Sequence, residues 1–149
     1  MLAAFTNEDL FWLDSGYMNK NLSNWASEAG KEYYYQNDPE KAKQLLDDMG
    51  YNGEEVVLMT TRDYEQFYNT AVVVQDQLLN IGMNVKLEVY DWATVVDSAY
   101  NDPTAWDIYT TSITPVSTPA QLLMLSPSFA GGLDDHAMKL LNEMEGARS

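Results

Sequence analysis

The sequence of 149 residues contains no cysteine and only one histidine, His136. The lack of cysteine excludes disulfides, thiolate nucleophiles and zinc sites that use thiolate ligands. A single histidine also leaves little from which a Ser–His catalytic pair could be built. His136 follows Asp134 and Asp135, but adjacent residues do not share a helical face, so we interpret the three as the solvated start of a helix. The sequence thus predicts neither a metal site nor a catalytic nucleophile.

Basic residues are scarce: 8 Lys and Arg stand against 23 Asp and Glu, which gives a formal net charge of −15 at pH 7. Such an excess of negative charge repels phosphate backbones and anionic membrane surfaces, so nucleic acid is not an expected partner. The charge keeps a protein soluble, and it also favours cationic ligands or partners with a basic patch.

Long apolar segments and glycine-rich loops are missing as well. No apolar run approaches the ~18 residues of a transmembrane helix. No signal peptide is expected, because polar and acidic residues follow Phe5 at once, although a mature secreted protein would lack one in any case. No glycine-rich phosphate loop follows a predicted strand, which argues against a nucleotide-dependent enzyme. The length and the hydrophobic content of 46% still suffice for one domain with a sizeable core.

From residue 38 onward, the hydrophobic pattern alternates between helix and strand. Asp38 as N-cap, Pro39 in the first turn and Gly50 as a left-handed cap predict the first helix. The other predicted elements are strands at 55–61, 84–90 and 106–111, and helices at 64–81, 91–100, 118–125 and from about 134. The order strand–helix–strand–helix–strand predicts an α/β fold, a βαβαβ unit with right-handed crossovers and a mainly parallel sheet.

The first two predicted strands differ in pattern. The run from Val56 to Met59 is continuously apolar, as in a strand that is buried on both faces. Apolar and polar residues alternate over 84–90, as in an edge strand with one wet face. The expected strand order is therefore 2-1-3, within a three-layer arrangement of helices on both faces of the sheet.

Residues 1–37 differ from the rest of the chain in composition and in hydrophobic pattern. They are rich in aromatics, including Trp12 and Trp25, but show no sustained period. Aromatics this dense in irregular chain usually pack against a scaffold or line an interface. We therefore expect an irregular lead that packs on an α/β lobe formed by residues 38–149.

Polar strand ends mark the predicted ligand site. In an open α/β sheet, ligands bind beyond the carboxyl ends of the strands, where the strand order reverses. With order 2-1-3, that point lies between the first and third strands, so their polar ends should face each other across one crevice. The residues expected there are Thr60, Thr61 and Arg62 on one side and Thr111, Ser112, Ile113 and Thr114 on the other.

Arg62 is the sharpest candidate in this crevice. It is one of only two arginines in the chain, and a guanidinium can grip a carboxylate with two parallel hydrogen bonds. The alternative is an ordinary surface ion pair with a neighbouring carboxylate such as Asp63 or Glu65. Trp92, which follows the second strand, also has two interpretations, because it could stack on a ligand or belong to the core.

One segment resembles a known family: the run NDPEKAKQLL from Asn37 to Leu46, followed by Gly50 and Tyr51. It is similar to the DPEKAKQLLxxxGY segment of family 5 extracellular solute-binding proteins, the peptide, nickel and related receptors of ABC importers. The similarity continues in order through Thr60-Thr61-Arg62-Asp63-Tyr64, Gln75-Asp76-Gln77-Leu78, Ile81-Gly82-Met83-Asn84-Val85, Tyr90-Asp91-Trp92 and Trp106-Asp107-Ile108, and it fades after Leu125.

The resemblance implies a fold like that of type II periplasmic-binding proteins, in which two lobes close on a ligand about a hinge. The chain resembles most of the carboxyl-terminal lobe, so the amino-terminal lobe and a returning carboxyl-terminal segment are expected to be missing from it. In dipeptide-binding relatives, the arginine after the first strand receives the carboxylate of the ligand, and Arg62 stands at that position.

The loop after the third predicted strand departs from the family pattern. Relatives often carry a Gly-Trp pair there, followed by an acidic residue for the amino group of the ligand. Here Ser112 and Ile113 stand at the matching places, and no acid occurs before Pro119. Recognition of an amino group in the manner of the dipeptide receptors is therefore not expected, which leaves a longer peptide, a sugar or an opine as candidate ligands.

The leading hypothesis is a non-enzymatic ligand-binding lobe without a cofactor. It would capture a small solute, most simply a peptide, and deliver it to the membrane permease of an ABC importer. The expected location is periplasmic or extracellular, with the full-length protein lipid-anchored or secreted. Two alternatives remain open: a free-standing flavodoxin-like α/β enzyme or regulator that binds nucleotide or flavin, and a carbohydrate- or surface-binding module that uses Trp12 and Trp25.

Overall fold

The computed structural model describes residues 26–34, 36–102, 104–112 and 134–146. The described residues belong to two compact units, the first containing 36–102 and 104–112, the second containing 26–34 and 134–146. The first unit carries the sheet and the predicted site, so it positions everything that follows.

The first unit alternates helices and strands in the predicted order. Its elements are α1 (Pro39–Asp48), β1 (Glu55–Thr61), α2 (Glu65–Asn80), β2 (Asn84–Tyr90), α3 (Trp92–Asn101) and β3 (Ile108–Tyr109). Both strand pairs are parallel, and the strand order is β2-β1-β3. The predicted α/β class and the predicted order 2-1-3 are confirmed.

Helix α1 begins and ends at the residues that its capping signals predict. The Asp38 carboxylate accepts a hydrogen bond from the Lys41 amide at 3.0 Å, and Gly50 closes the helix with a φ of 72°. Its apolar face is covered only in part, because Leu45 is 52% and Met49 is 82% exposed.

Strand β1 lies at the centre of the sheet and is buried on both faces over Leu58–Thr61. Leu58 packs with Ala71 of α2 and Val85 of β2, which form the core on one face. Successive side chains of a strand point to opposite faces, so Met59 points towards the side covered by α3. The continuous apolar run in the sequence is thus explained by helices on both sides of β1.

Strand β3 is much shorter than the predicted strand at 106–111. Only Ile108–Tyr109 pair as a strand, opposite Leu58 and Met59. Just before them, the Asp107 carboxylate accepts the Val57 amide at 2.7 Å, so a side chain replaces a strand carbonyl at this point. The prediction missed this substitution because it depends on a contact 50 residues apart.

The second unit contains a 3-10 turn at Lys31–Tyr33 and helix α4 (Asp135–Gly146). Asp134 accepts a hydrogen bond from the Ala137 amide at 2.7 Å, which places the start of α4 where the sequence predicts it. The predicted helix at 118–125 lies outside the described residues. Within the parts of the chain that the structure describes, no helix is long and apolar enough to cross a membrane.

Candidate functional site at the carboxyl edge of the sheet

The carboxyl ends of β1 and β3 are joined by two threonines. Thr60 is completely buried, and its hydroxyl lies 2.7 Å from the hydroxyl of half-buried Thr110. The Thr110 amide also donates to the Met59 carbonyl at 3.2 Å. The two strand ends that were expected to flank one crevice therefore lie side by side, with their hydroxyl groups paired to each other.

Thr61 ends β1 and is also completely buried. Its hydroxyl accepts a hydrogen bond from the Asp63 amide at 3.1 Å, which folds the chain into a tight turn directly after the strand. Thr61 therefore supports the turn from the buried side. Arg62, which lies between Thr61 and Asp63, is exposed.

The Arg62 side chain lies on a tyrosine of α2. Its guanidinium carbon is 4.5 Å from the centre of the Tyr68 ring, and Nη2 donates to the Tyr68 hydroxyl at 2.8 Å. In the described part of the chain Arg62 forms no ion pair, either with Asp63 or with Glu65, the two carboxylates considered above. Among the described residues, the guanidinium therefore contacts a neutral side chain, and no carboxylate neutralises its positive charge.

The turn that carries Arg62 is fixed to the next helix. One oxygen of the Asp63 carboxylate accepts the Trp92 amide at 2.7 Å, at the first residue of α3. The N-cap Asp91 accepts from the amide and the hydroxyl of Thr94 at 3.0 and 2.6 Å, and these bonds, the hydroxyl first, lower the pKa of the Asp91 carboxyl. Two carboxylates therefore occupy the positive end of α3, as its dipole favours.

Three aromatic rings pack beside this turn. Tyr64, Phe67 and Trp92 lie with ring centroids 5.2 to 5.5 Å apart, in tilted and edge-on arrangements. Phe67 is buried, Trp92 is half-buried and Tyr64 is exposed. Trp92 thus packs in an aromatic cluster that supports the turn, and part of its surface remains open.

The other side of the predicted crevice is described only in part. Thr111 and Ser112 are exposed after β3, and the Thr111 hydroxyl approaches the Ser112 carbonyl at 3.4 Å. Ile113 and Thr114, which were also predicted to line the site, lie outside the described residues. A contribution to ligand binding remains a prediction for Thr61, Arg62, Thr111, Ser112, Ile113 and Thr114.

Tyr68 is the residue at this edge that the sequence analysis missed. The signal was present, because an arginine just before a helix can reach the second turn of that helix. Nothing in the sequence distinguished a tyrosine partner from the nearby carboxylates.

The described residues contain an open groove of about 560 Å³ along α3, lined by Trp92, Ala93, Val96, Asp97, Tyr100 and Asn101. They contain no group of three or more carboxylate or imidazole side chains that could hold a metal ion. The chemistry available at the carboxyl edge is therefore recognition through a guanidinium, hydroxyls and aromatic rings.

Residues 14–132 match the family model described as bacterial extracellular solute-binding proteins, family 5 Middle. A curated relative, a probable peptide ABC transporter periplasmic-binding protein of Sinorhizobium fredii, is 39% identical over 80 residues. These residues are 50% of this chain and 15% of that protein, so the chain spans only a small part of its relative.

Two solved structures share the fold. The ABC transporter substrate-binding protein CtaP of Listeria monocytogenes matches with a TM-score of 0.70 and 16% identity, over 95% of this chain and 33% of that one. The oligopeptide-binding protein AppA of Bacillus subtilis, solved with a nonapeptide, matches with a TM-score of 0.57 and 24% identity, over 69% and 24% of the two chains.

Proposed function

The chain belongs to the bacterial extracellular solute-binding proteins of family 5, and we propose that it is one lobe of a receptor that captures peptides for an ABC importer. The curated relative and the AppA structure are both named for peptides, which supports a peptide as the solute. Family membership disfavours a flavodoxin-like enzyme and a carbohydrate-binding module. The receptor binds and delivers its solute without changing it.

The observation that carries this proposal is the uncompensated charge of Arg62. A peptide ends in a carboxylate, and a guanidinium can bind both carboxylate oxygens through parallel hydrogen bonds. The chain has a net charge of −15, so an exposed arginine that forms no ion pair among the described residues is unusual. This unpaired positive charge makes Arg62 a place where an anion can bind. The exposed Ser112 supplies a neutral hydroxyl donor after β3, and the Thr111 hydroxyl can donate to a ligand once it turns from the Ser112 carbonyl.

A second lobe completes the proposed receptor. The relatives are several times longer than this chain, which covers 33% of CtaP and 24% of AppA. To shift a receptor from mostly open to mostly closed, the ligand must favour the closed state by about 5.5 kcal/mol. A single lobe offers only one of the two surfaces, so the facing lobe contributes the rest. The closed receptor then docks on the membrane permease, with a lipid anchor or free diffusion bringing it there.

Calorimetry tests whether both lobes are needed to bind the ligand. The probe is a pool of random-sequence hexapeptides with free carboxyl termini, titrated into the full-length protein and into the 149-residue chain alone. We expect measurable binding by the full-length protein and weak or no binding by the isolated chain. Micromolar binding by the isolated chain would refute the two-lobed site, and no binding by either protein would refute peptide capture.

A further inference from the structure

We propose that Tyr68 is a second ligand-binding residue, which positions Arg62 and donates its own hydroxyl hydrogen to the same anion. This inference rests on the proposed function, because it names a further contact in the same site. Nothing in the family match or in the sequence pattern assigns a role to this tyrosine. The inference rests on the geometry of one pair, Arg62 and Tyr68.

The hydrogen bond between Arg62 and Tyr68 leaves the hydroxyl hydrogen of Tyr68 free to donate. The Tyr68 oxygen accepts from Arg62 Nη2 at 2.8 Å, so the phenolic hydrogen has to point elsewhere. In the described part of the chain, no group accepts that hydrogen, and Tyr68 is half-buried rather than enclosed. A phenol that receives a hydrogen bond from a cation is polarised and becomes a stronger donor.

The remaining donors of Arg62 are available beside this hydroxyl. A guanidinium carries five N–H groups in one plane, and a single one of them is used on Tyr68. An anion with two oxygens can therefore accept from the guanidinium with one oxygen and from the phenol with the other. A carboxylate has this shape, and the carboxyl terminus of a peptide is the form that the proposed function supplies.

Two hydrogen bonds hold the turn that carries Arg62, which lowers the conformational cost of binding. Thr61 fixes the turn from behind, and Asp63 ties it to the first amide of α3. The Tyr68 ring stacks on the guanidinium, so the long arginine side chain loses less conformational freedom when an anion arrives. A carboxylate at position 68 would hold the arginine as well, but it would neutralise the charge that the ligand needs.

The competing explanation is that Tyr68 only packs against Arg62. Both explanations predict that a large truncation at position 68 weakens binding. They differ for Tyr68→Phe, which keeps the ring and its stacking on the guanidinium but removes the hydroxyl. A ring that only packs is preserved in this variant, whereas both proposed roles of the hydroxyl are lost: its bond from Arg62 and its donation to the anion.

The experiment uses the full-length protein and two pools of random hexapeptides, one with free carboxyl termini and one with amidated termini. Affinity for each pool is measured by calorimetry for the wild type, Arg62→Ala, Tyr68→Phe and Tyr90→Phe. Tyr90→Phe is the matched control, because it removes a phenolic hydroxyl that donates to Glu88 at 2.6 Å within the neighbouring strand β2. Chemical unfolding of each variant shows whether the fold is preserved.

We expect Tyr68→Phe to weaken binding of the free-carboxyl pool about tenfold, the size of one hydrogen bond to a charged group. Binding of the amidated pool should not change, and Tyr90→Phe should behave as the wild type. If Arg62→Ala removes the preference for a free carboxyl terminus and Tyr68→Phe keeps it, the role of Tyr68 is refuted while the proposed function stands. If Arg62→Ala itself changes nothing, or if neither pool binds the wild type, the proposed site fails and this inference fails with it.

Discussion

The two edges of the parallel sheet use their polar groups in opposite ways. At the amino edge, the Tyr51 hydroxyl donates to the Glu54 carbonyl at 2.5 Å and accepts the Asn84 amide at 2.9 Å. The Asn84 side chain in turn donates to the Gly53 carbonyl at 3.1 Å. These groups bond to one another across the start of β1 and β2. The described residues of this turn include no unpaired cation.

The carboxyl edge carries polar groups that have no charged partner among the described residues. Arg62 bonds to a neutral hydroxyl there, and Thr111 and Ser112 are exposed. One exposed aromatic side chain, Tyr64, lies beside Arg62 at the same edge. The polar groups of the amino edge thus stabilise the fold, whereas those of the carboxyl edge include the residues that we propose bind the ligand. Substitutions at the two edges should therefore change different measurements.

The largest expected effect is on ligand affinity, from Arg62→Ala in the full-length protein. Loss of charged hydrogen bonds worth about 1.5–3 kcal/mol each should weaken binding of free-carboxyl peptides at least tenfold. Calorimetric titration measures the change. Lys43→Ala, which removes an exposed cation on α1, is the control and should leave the affinity unchanged.

The second effect is on stability, at the threonine pair that joins β1 and β3. Thr60→Val leaves the Thr110 hydroxyl without its partner in a half-buried place, and should lower the free energy of unfolding by about 1–3 kcal/mol. The double variant with Thr110→Val removes both hydroxyls and should recover much of that loss. Urea unfolding of the 149-residue chain measures both variants, and equal losses in the single and double variants would contradict the pairing.

A smaller loss of stability is expected at the amino edge, from Tyr51→Phe. The variant removes both hydrogen bonds of one hydroxyl, but these bonds are exposed and water can replace them, so the total loss should be about 0.5–1.5 kcal/mol. Peptide affinity of the full-length protein should not change. A variant that lost affinity without losing stability would show that the two edges are not divided as we describe.

The smallest effect concerns pH, through Glu88 on β2. Hydrogen bonds from the Lys86 ammonium and then from the Tyr90 hydroxyl lower the pKa of Glu88 from its ordinary value of 4.5. A lowered pKa in the folded chain stabilises the fold above the ordinary value, and this contribution is lost as the pH falls through the folded pKa. Glu88→Gln should therefore reduce the loss of stability below about pH 4.5, and salt at about 1 M should shrink the difference because the pair is partly exposed.

Local chemistry explains why most of the fold could be predicted. Asp38, Pro39 and Gly50 fix the bounds of α1 without any help from the rest of the chain. The contrast between a continuous apolar run and an alternating one identified the central and edge strands, because each pattern records how many faces of a strand are buried. The strand order 2-1-3 then followed from placing the first strand at the centre and the second at an edge.

Contacts between distant side chains explain what could not be predicted. Asp107 shortens β3 by bonding to Val57, and no periodicity reports such a contact. The sequence predicted Arg62 directly after the first strand, where the structure has it, but it could not choose between a ligand and a local carboxylate as the partner. The structure adds a third partner, Tyr68, and it shows Thr61 behind the turn rather than on its surface.

The most direct test of the carboxyl edge is nuclear magnetic resonance of the Arg62 guanidinium in the full-length protein, with its signal assigned by its loss in Arg62→Lys. Our account predicts that peptides with a free carboxyl terminus shift the side-chain N–H signal of Arg62, and that amidated peptides shift it much less. An Arg62 signal that stays unchanged while the free-carboxyl peptides bind would contradict the account.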